Sequence, residues 1–294
     1  MLTLKKAELS DLPIIRPYLL REPCRLSVYS PGVLFMWRDY FHLSYALEEE
    51  TLLLKLAYDG TREGYLYPLG TNPGHFLAIL EEEHRKSREP LIFSSLCERD
   101  RDRLLARYPG AAVTSLREEA DYLYETEKLA AFPGRKYGGQ RNHLNGFRRA
   151  YPDHTVNELQ PSDVPALLAF LEEYSLRHPH RPLFEEEIGM VREVLENYDF
   201  YGMTGAVLRA GGEIAAFAVG EVLGDTLEVH IEKADTRFSG AYQAMVSGFC
   251  SRFDPAAVPY TNREDDMGDE GLRFSKLSYH PVALLDKYTL TVRF

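Results

Sequence analysis

No stretch of about 18 consecutive apolar residues occurs in the 294-residue sequence, so no membrane-crossing helix is expected. Cysteine is scarce. Cys24, Cys97 and Cys250 are odd in number and far apart in sequence, which argues against a disulfide framework and a clustered metal site and fits a reducing compartment. The nine histidines are scattered. His178 and His180 flank Pro179, a pattern that predicts a loop rather than a metal-binding pair, so no metal is expected. The opening residues lack the long apolar core and small-residue cleavage site of a secretion signal, and a cytoplasmic location is predicted. Basic residues are outnumbered, 34 Lys and Arg against 45 Asp and Glu, for a net charge of −11. That balance counts against indiscriminate binding to nucleic acid or anionic lipid.

What is present is an ordinary globular composition, 45% hydrophobic and 27% charged, long enough for two modest domains. Residues 2–4 read as a strand, and Ser10-Asp11 with Pro13 opens a helix. Residues 51–56 and 64–69, across Asp59-Gly60, read as a hairpin. Helix over 73–87, strand over 91–95, helix over 99–107 and strand over 112–116 follow. The order then recurs: strand 155–159, helices to about 177 and over 185–198, a hairpin across Gly211-Gly212, strand 227–234, helix 239–253 and final strands. This predicts an α/β (α+β) chain of two similar domains with mixed central sheets: residues 1–127, a basic connecting loop and helix over 128–154, and residues 155–294 carrying the site.

The densest polar stretch is Tyr260 to Pro281, YTNREDDMGDEGLRFSKLSYHP. It connects a strand, a helix over about 269–277 and a final strand, where α/β sheets tend to place ligands. Acidic residues at the start of that helix and Arg273 and Lys276 at its end suit its dipole. Asn262, Arg263, Glu264 and Asp265 leave the strand before any helix begins, and capping explains them less well. Arg273 and Lys276, three apart, share a face suited to a carboxylate or phosphate. Upstream, His230 and Glu232 lie on one strand face. Burying that face requires a partner such as Arg263.

Between Lys128 and Pro152 there is no acidic residue, while Lys128, Arg135, Lys136, Arg141, Arg148 and Arg149 are all basic. Glycines make its first part a loop. A helix follows, with Leu144 and Phe147 inward and Arg141, Asn142, Asn145, Arg148 and Arg149 outward. The segment reads either as a solvated connector or as a phosphate-binding surface for a nucleotide or tRNA backbone.

The element order of 155–294 resembles a GNAT acyltransferase domain. In that superfamily the turn after the fourth strand, Gln/Arg-x-x-Gly-x-Gly/Ala, holds the cofactor pyrophosphate. Here Arg237 and Gly240 match its first two positions and Tyr242 departs at the last. The stretches LAAFPGRKYGGQRNHLNGF and NREDDMGDEGLRFSKLSYHP resemble bacterial proteins related to the C-terminal domain of phosphatidylglycerol lysyltransferase. The resemblance implies tandem GNAT-like folds, as in Fem-type aminoacyltransferases, which move an amino acid from aminoacyl-tRNA to a lipid or peptide amine or hydroxyl.

The expectation is therefore an acyl- or aminoacyltransferase with aminoacyl-tRNA or acyl-CoA as donor, no certain cofactor, and a small-molecule or peptide acceptor. Glu264 or Asp265 would take the acceptor's proton, and Lys276 would stabilise developing charge. Glu232, Asn262, Arg263, Arg273 and Tyr279 would bind substrate. Arg135, Lys136, Arg141, Asn142, Arg237 and Gly240 would hold the donor's phosphates. The alternatives are an acyl-CoA-dependent N-acetyltransferase and a non-catalytic ligand-binding module.

Overall fold

The structure, a computed structural model, describes residues 2–22, 24–58, 62–177 and 184–294. His178, His180 and the Asp59-Gly60 turn lie outside the described residues. Contacts divide the chain into two units: Met1–Asp121 with Asp265–Gly268 and Leu284–Phe294, and Tyr122–Glu264 with Asp269–Ala283.

The first unit runs β1 (Lys5–Lys6), α1 (Leu12–Leu19), α2 (Pro31–Met36), β2 (Ser44–Glu48), β3 (Thr51–Tyr58), β4 (Arg62–Tyr65), β5 (Leu69–Gly70), α3 (Pro73–Ser87), β6 (Leu91–Leu96), α4 (Glu98–Arg107) and β7 (Ala112–Ser115). Apolar positions follow the helical period in α3, where Phe76, Leu77 and Leu80 are buried and His84, Arg85 and Lys86 close the C-terminal turn.

The second unit holds β8 (Asp121–Glu125), α5 (Thr126–Ala131), α6 (Gly138–Ala150), β9 (Thr155–Glu158), α7 (Val164–Arg177), α8 (Phe184–Glu196), α9 (Tyr198–Tyr201), β10 (Thr204–Ala210), β11 (Glu213–Leu223), β12 (Thr226–Ala234), α10 (Ala241–Cys250), β13 (Tyr260–Asn262) and α11 (Glu270–Ser278). With β14 (Ala283–Leu285) its sheet has the order β14-β8-β13-β12-β11-β10-β9. β12 and β13 are parallel, while β9 to β12 are antiparallel neighbours. The core gathers Tyr122, Tyr124, Phe132, Tyr137, Phe147 and Phe249 around α10. This is the mixed α/β acyltransferase-like arrangement that the resemblance implies.

The chain closes on β15 (Tyr288–Val292), and here the structure departs from the expected boundaries at 127, 154 and 155–294. β15 does not finish the second sheet. It inserts between β6 and β7 of the first, antiparallel to both, with Leu290 and Val292 buried there. Residues 122–127, expected before the boundary, build the second unit with the rest of α5, which was expected in the connector. The opening strand is Lys5–Lys6 rather than 2–4, and α6 starts at Gly138, earlier than the expected Arg141.

Candidate active site

β12 of the second unit carries Glu228, His230 and Glu232, but its pairing with β11 steps from Ile231 to Val229, so the expected shared face of His230 and Glu232 is broken at His230: Glu232 pairs with Ala218 on the face of Val229, and Glu228 pairs with Glu221 on the other. His230 is the extra residue of a bulge, opposite the Val219–Gly220 step of β11. Gly220 is needed there, because a Cβ would sit 2.1 Å from Glu228 O. Just past the bulge, Glu221 Oε1 lies 3.2 Å from His230 Nε2, and Glu264 Oε1 lies 2.9 Å from Nδ1. The imidazole is wholly enclosed. Burial alone would lower its pKa, but the two carboxylates overcome this and raise it to about 10. At neutral pH His230 is an imidazolium gripping two carboxylates.

Glu264 has a left-handed backbone, φ 57°, unusual for a residue with a Cβ. Its N–H donates to Asn262 Oδ1 at 2.7 Å, and its carbonyl accepts from Tyr122 N at 3.1 Å and Lys276 Nζ at 3.3 Å. Strain fixed by three such bonds is typical of functional positions. The carboxylate stays 22% exposed.

Arg263 reaches back to β12. Its Nη2 donates to Glu232 Oε1 and Oε2 at 3.0 and 3.1 Å, and its guanidinium lies 4.6 Å from the Tyr279 ring centroid. Burial pushes the Tyr279 hydroxyl up to about 12. Arg263 Nη1 is buried and has no hydrogen-bond acceptor among the described residues. β12 and β13 pair only through Tyr260, Thr261 and Asn262. Beyond that, the Arg263–Glu232 pair spans the diverging chains.

Three expectations need correction. Asp265 does not join Glu264. It lies in the first unit, where its Oδ2 is 2.8 Å from Lys287 Nζ. Lys276 is buried and donates to Arg263 O at 2.6 Å as well as to Glu264 O, so it holds the loop rather than forming an anion clamp with Arg273. Arg237 and Gly240 do not form an open phosphate cradle. Arg237 pairs with Asp235 and Glu213. Gly240 (φ 87°) lets α6 approach, since a Cβ would sit 2.5 Å from His143 O. Arg237 instead lines a cavity of about 320 Å³ with Phe170, Tyr174, Arg177 and Arg209.

In the basic segment Arg141 Nη1 caps Phe132 O and Gly134 O, both at 2.7 Å. Arg135, Lys136, Asn142, Arg148 and Arg149 are exposed. Sequence reasoning missed Glu221. The only signal was a glutamate after glycine in an otherwise apolar run, Phe217-Ala-Val-Gly-Glu221-Val-Leu.

The His230 cluster gives a pH prediction. A raised folded-state pKa stabilises the protein fully below the unfolded value of about 6.5, and the contribution is lost as pH rises through about 10. The gap in denaturation midpoint between wild type and His230→Gln should shrink steadily from pH 6.5 to 10. A constant gap would remove the charge from His230.

The family described as phosphatidylglycerol lysyltransferase, C-terminal, matches residues 23–291. A conserved protein of unknown function from Bacteroides thetaiotaomicron VPI-5482 superposes with a TM-score of 0.89 at 31% identity, over 100% of both chains. The structure of L-PGS from Bacillus licheniformis superposes with a TM-score of 0.64 at 16% identity, over 95% of this chain and 90% of that one, a likeness of fold. The uncharacterized protein MYCGA3080 of Mycoplasmoides gallisepticum is 27% identical over 173 residues, 58% of this chain and 56% of that protein. The chain thus matches little more than half the length of that curated relative. No helix among the described residues is long and apolar enough to cross a membrane.

Proposed function

This chain belongs to the phosphatidylglycerol lysyltransferase C-terminal family, and from that premise we propose that it moves an aminoacyl group from the ester of an aminoacyl-tRNA to an acceptor amine or hydroxyl. An acyltransferase-type function follows from family and fold. The donor and the residue roles are the proposal.

The observation that carries it is the position of α6. The helix covers the turn at Gly240, where a conventional acyl-CoA enzyme would receive pyrophosphate. It also presents Asn142, Asn145, Arg148 and Arg149 to solvent in a stretch without acidic residues. One element thus closes the route for the small donor and offers cations to a phosphate backbone.

In the reaction, the acceptor nitrogen or oxygen attacks the ester carbonyl carbon. A new amide or ester bond forms, and the bond from that carbon to the tRNA ribose oxygen breaks. Glu264 takes the acceptor's proton, which passes to the leaving ribose oxygen. Arg263 Nη1 supplies a buried donor for charge on the carbonyl oxygen. His230 positions the Glu264 carboxylate.

Salt-dependent retention of tRNA tests the donor. Wild type should bind at low salt, and Arg148→Ala with Arg149→Ala should flatten the log–log salt dependence by about 1.5 to 2. An unchanged slope, or no binding at low salt, would overturn the assignment.

A further inference from the structure

We propose that Cys24 and Cys97 of the first unit form a redox site, in which Cys97 reacts with a hydroperoxide and Cys24 resolves the product to a reversible disulfide. Distance in sequence hides the pair. Cys24 lies between α1 and α2, and Cys97 follows β6 as the N-cap of α4. The fold brings their side chains together, and the two thiols share a hydrogen bond. Both are free and half-buried, so neither is sealed from solvent. The buried Tyr29 hydroxyl, 3.4 Å from Asp100 Oδ2, adjoins them.

The surroundings assign the two roles. Cys97 Sγ lies 3.3 Å from Asp100 Oδ2. That carboxylate is wholly buried. Arg99 Nε and Nη2 each donate to it at 2.9 Å, and Arg103 Nη1 donates at 3.2 Å. Two guanidiniums thus offset its opposition to a neighbouring thiolate. Cys97 also stands at the start of a 10-residue helix, where backbone N–H groups favour negative charge. The hydrogen bond from Cys24 holds the Cys97 thiol below the ordinary cysteine value, against the opposite effect of burial. The same bond, together with burial, pushes the Cys24 thiol far above it. Cys97 is therefore the attacking thiolate and Cys24 the thiol that keeps its proton. Cys250 is the contrast within the chain. It is buried in α10 of the second unit, and burial pushes its thiol up to about 12, which makes it slow to react.

The Cys97 thiolate attacks one peroxide oxygen. The O–O bond breaks, and the departing hydroxide takes up the proton that Cys97 gave to solvent. Cys97 is left as a sulfenic acid. The Cys24 sulfur then attacks the Cys97 sulfur. An S–S bond forms, the S–O bond breaks, and the oxygen leaves as water with the Cys24 proton. The two thiols lose two electrons, and the peroxide is reduced to water. In a reducing compartment such a disulfide is transient, because exchange with small thiols returns it to the dithiol. The site uses no residue of the proposed transfer reaction.

Oxidation of the full chain by hydrogen peroxide in small molar excess, then alkylation in denaturant and peptide mass mapping, tests the proposal. Untreated protein should alkylate at all three cysteines. Oxidised wild type should lose two hydrogens, yield a linked Cys24–Cys97 peptide and alkylate only at Cys250, and dithiothreitol should restore the other two. Cys24→Ser should stop at a Cys97 sulfenic acid that dimedone traps. Cys97→Ser should leave Cys24 reduced at the same dose, and Cys250→Ser should cross-link as wild type does. The wild-type result requires no variant, so a misfolded variant leaves the test intact. Absence of the cross-link at peroxide doses that already oxidise Cys250 would overturn the proposal. So would dimedone labelling of Cys24 in Cys97→Ser as fast as that of Cys97 in Cys24→Ser.

Discussion

Replacing Lys287 with methionine is expected to destabilise the first unit by about 3–5 kcal/mol, lowering the thermal midpoint on the order of 10 °C. The Lys287 side chain is 9% exposed, and its Nζ lies 2.7 Å from Asp121 Oδ1 and 2.8 Å from Asp265 Oδ2. Burial alone would favour the neutral amine. The two carboxylates reverse that and hold its pKa well above the usual lysine value. Asp121 is fully enclosed and also accepts from Ser27 N at 2.6 Å. Methionine fills the same space but leaves two carboxylates facing one another without the cation between them. Lys287→Met with Asp121→Asn should recover part of the loss, since one of the two charges is then gone. A single variant within about 1 kcal/mol of wild type would show that the cluster behaves as a surface pair.

Glu264→Gln should reduce aminoacyl transfer by roughly 10²–10⁴-fold, the usual contribution of a positioned general base. Glutamine preserves shape and can still accept from His230 Nδ1, but it cannot take a proton. Retention of tRNA should be unchanged, because Arg148 and Arg149 are untouched. Rate and binding thus separate catalysis from recognition. A variant that transfers at the wild-type rate would remove Glu264 from the chemistry. A wild type that binds tRNA but transfers nothing to amine or hydroxyl acceptors would leave the non-catalytic binding module.

Most elements could be read from the sequence because their apolar periods are unambiguous, as in α3, α7 and the β10–β11 hairpin. Periodicity says that Tyr288 to Val292 is a strand, but not which sheet it joins. That depends on the opening between β6 and β7, which non-local pairing creates. The Arg263–Glu232 pair was legible, since an acidic residue on a buried strand face requires a cation and Arg263 leaves the neighbouring strand end. The fates of Glu264 and Asp265 were not. They are adjacent in sequence, yet the left-handed turn at Glu264 sends one carboxylate to His230 and the other to Lys287. Glu221 was hidden by the bulge at His230, which shifts the register of β12 against β11, and register cannot be read from one strand alone. Gly240 matched a phosphate-binding pattern for a different physical reason, close approach of the α6 backbone.

The central claim is that the donor is an aminoacyl-tRNA rather than an acyl-CoA. Its most direct test is thermal stabilisation of the purified protein by charged tRNA, uncharged tRNA, acetyl-CoA and CoA, at low and moderate salt. The account predicts a salt-sensitive shift with tRNA, larger for the charged form, and none with either coenzyme. A shift with acetyl-CoA and none with tRNA would contradict it and reopen the turn at Gly240 as a cofactor site.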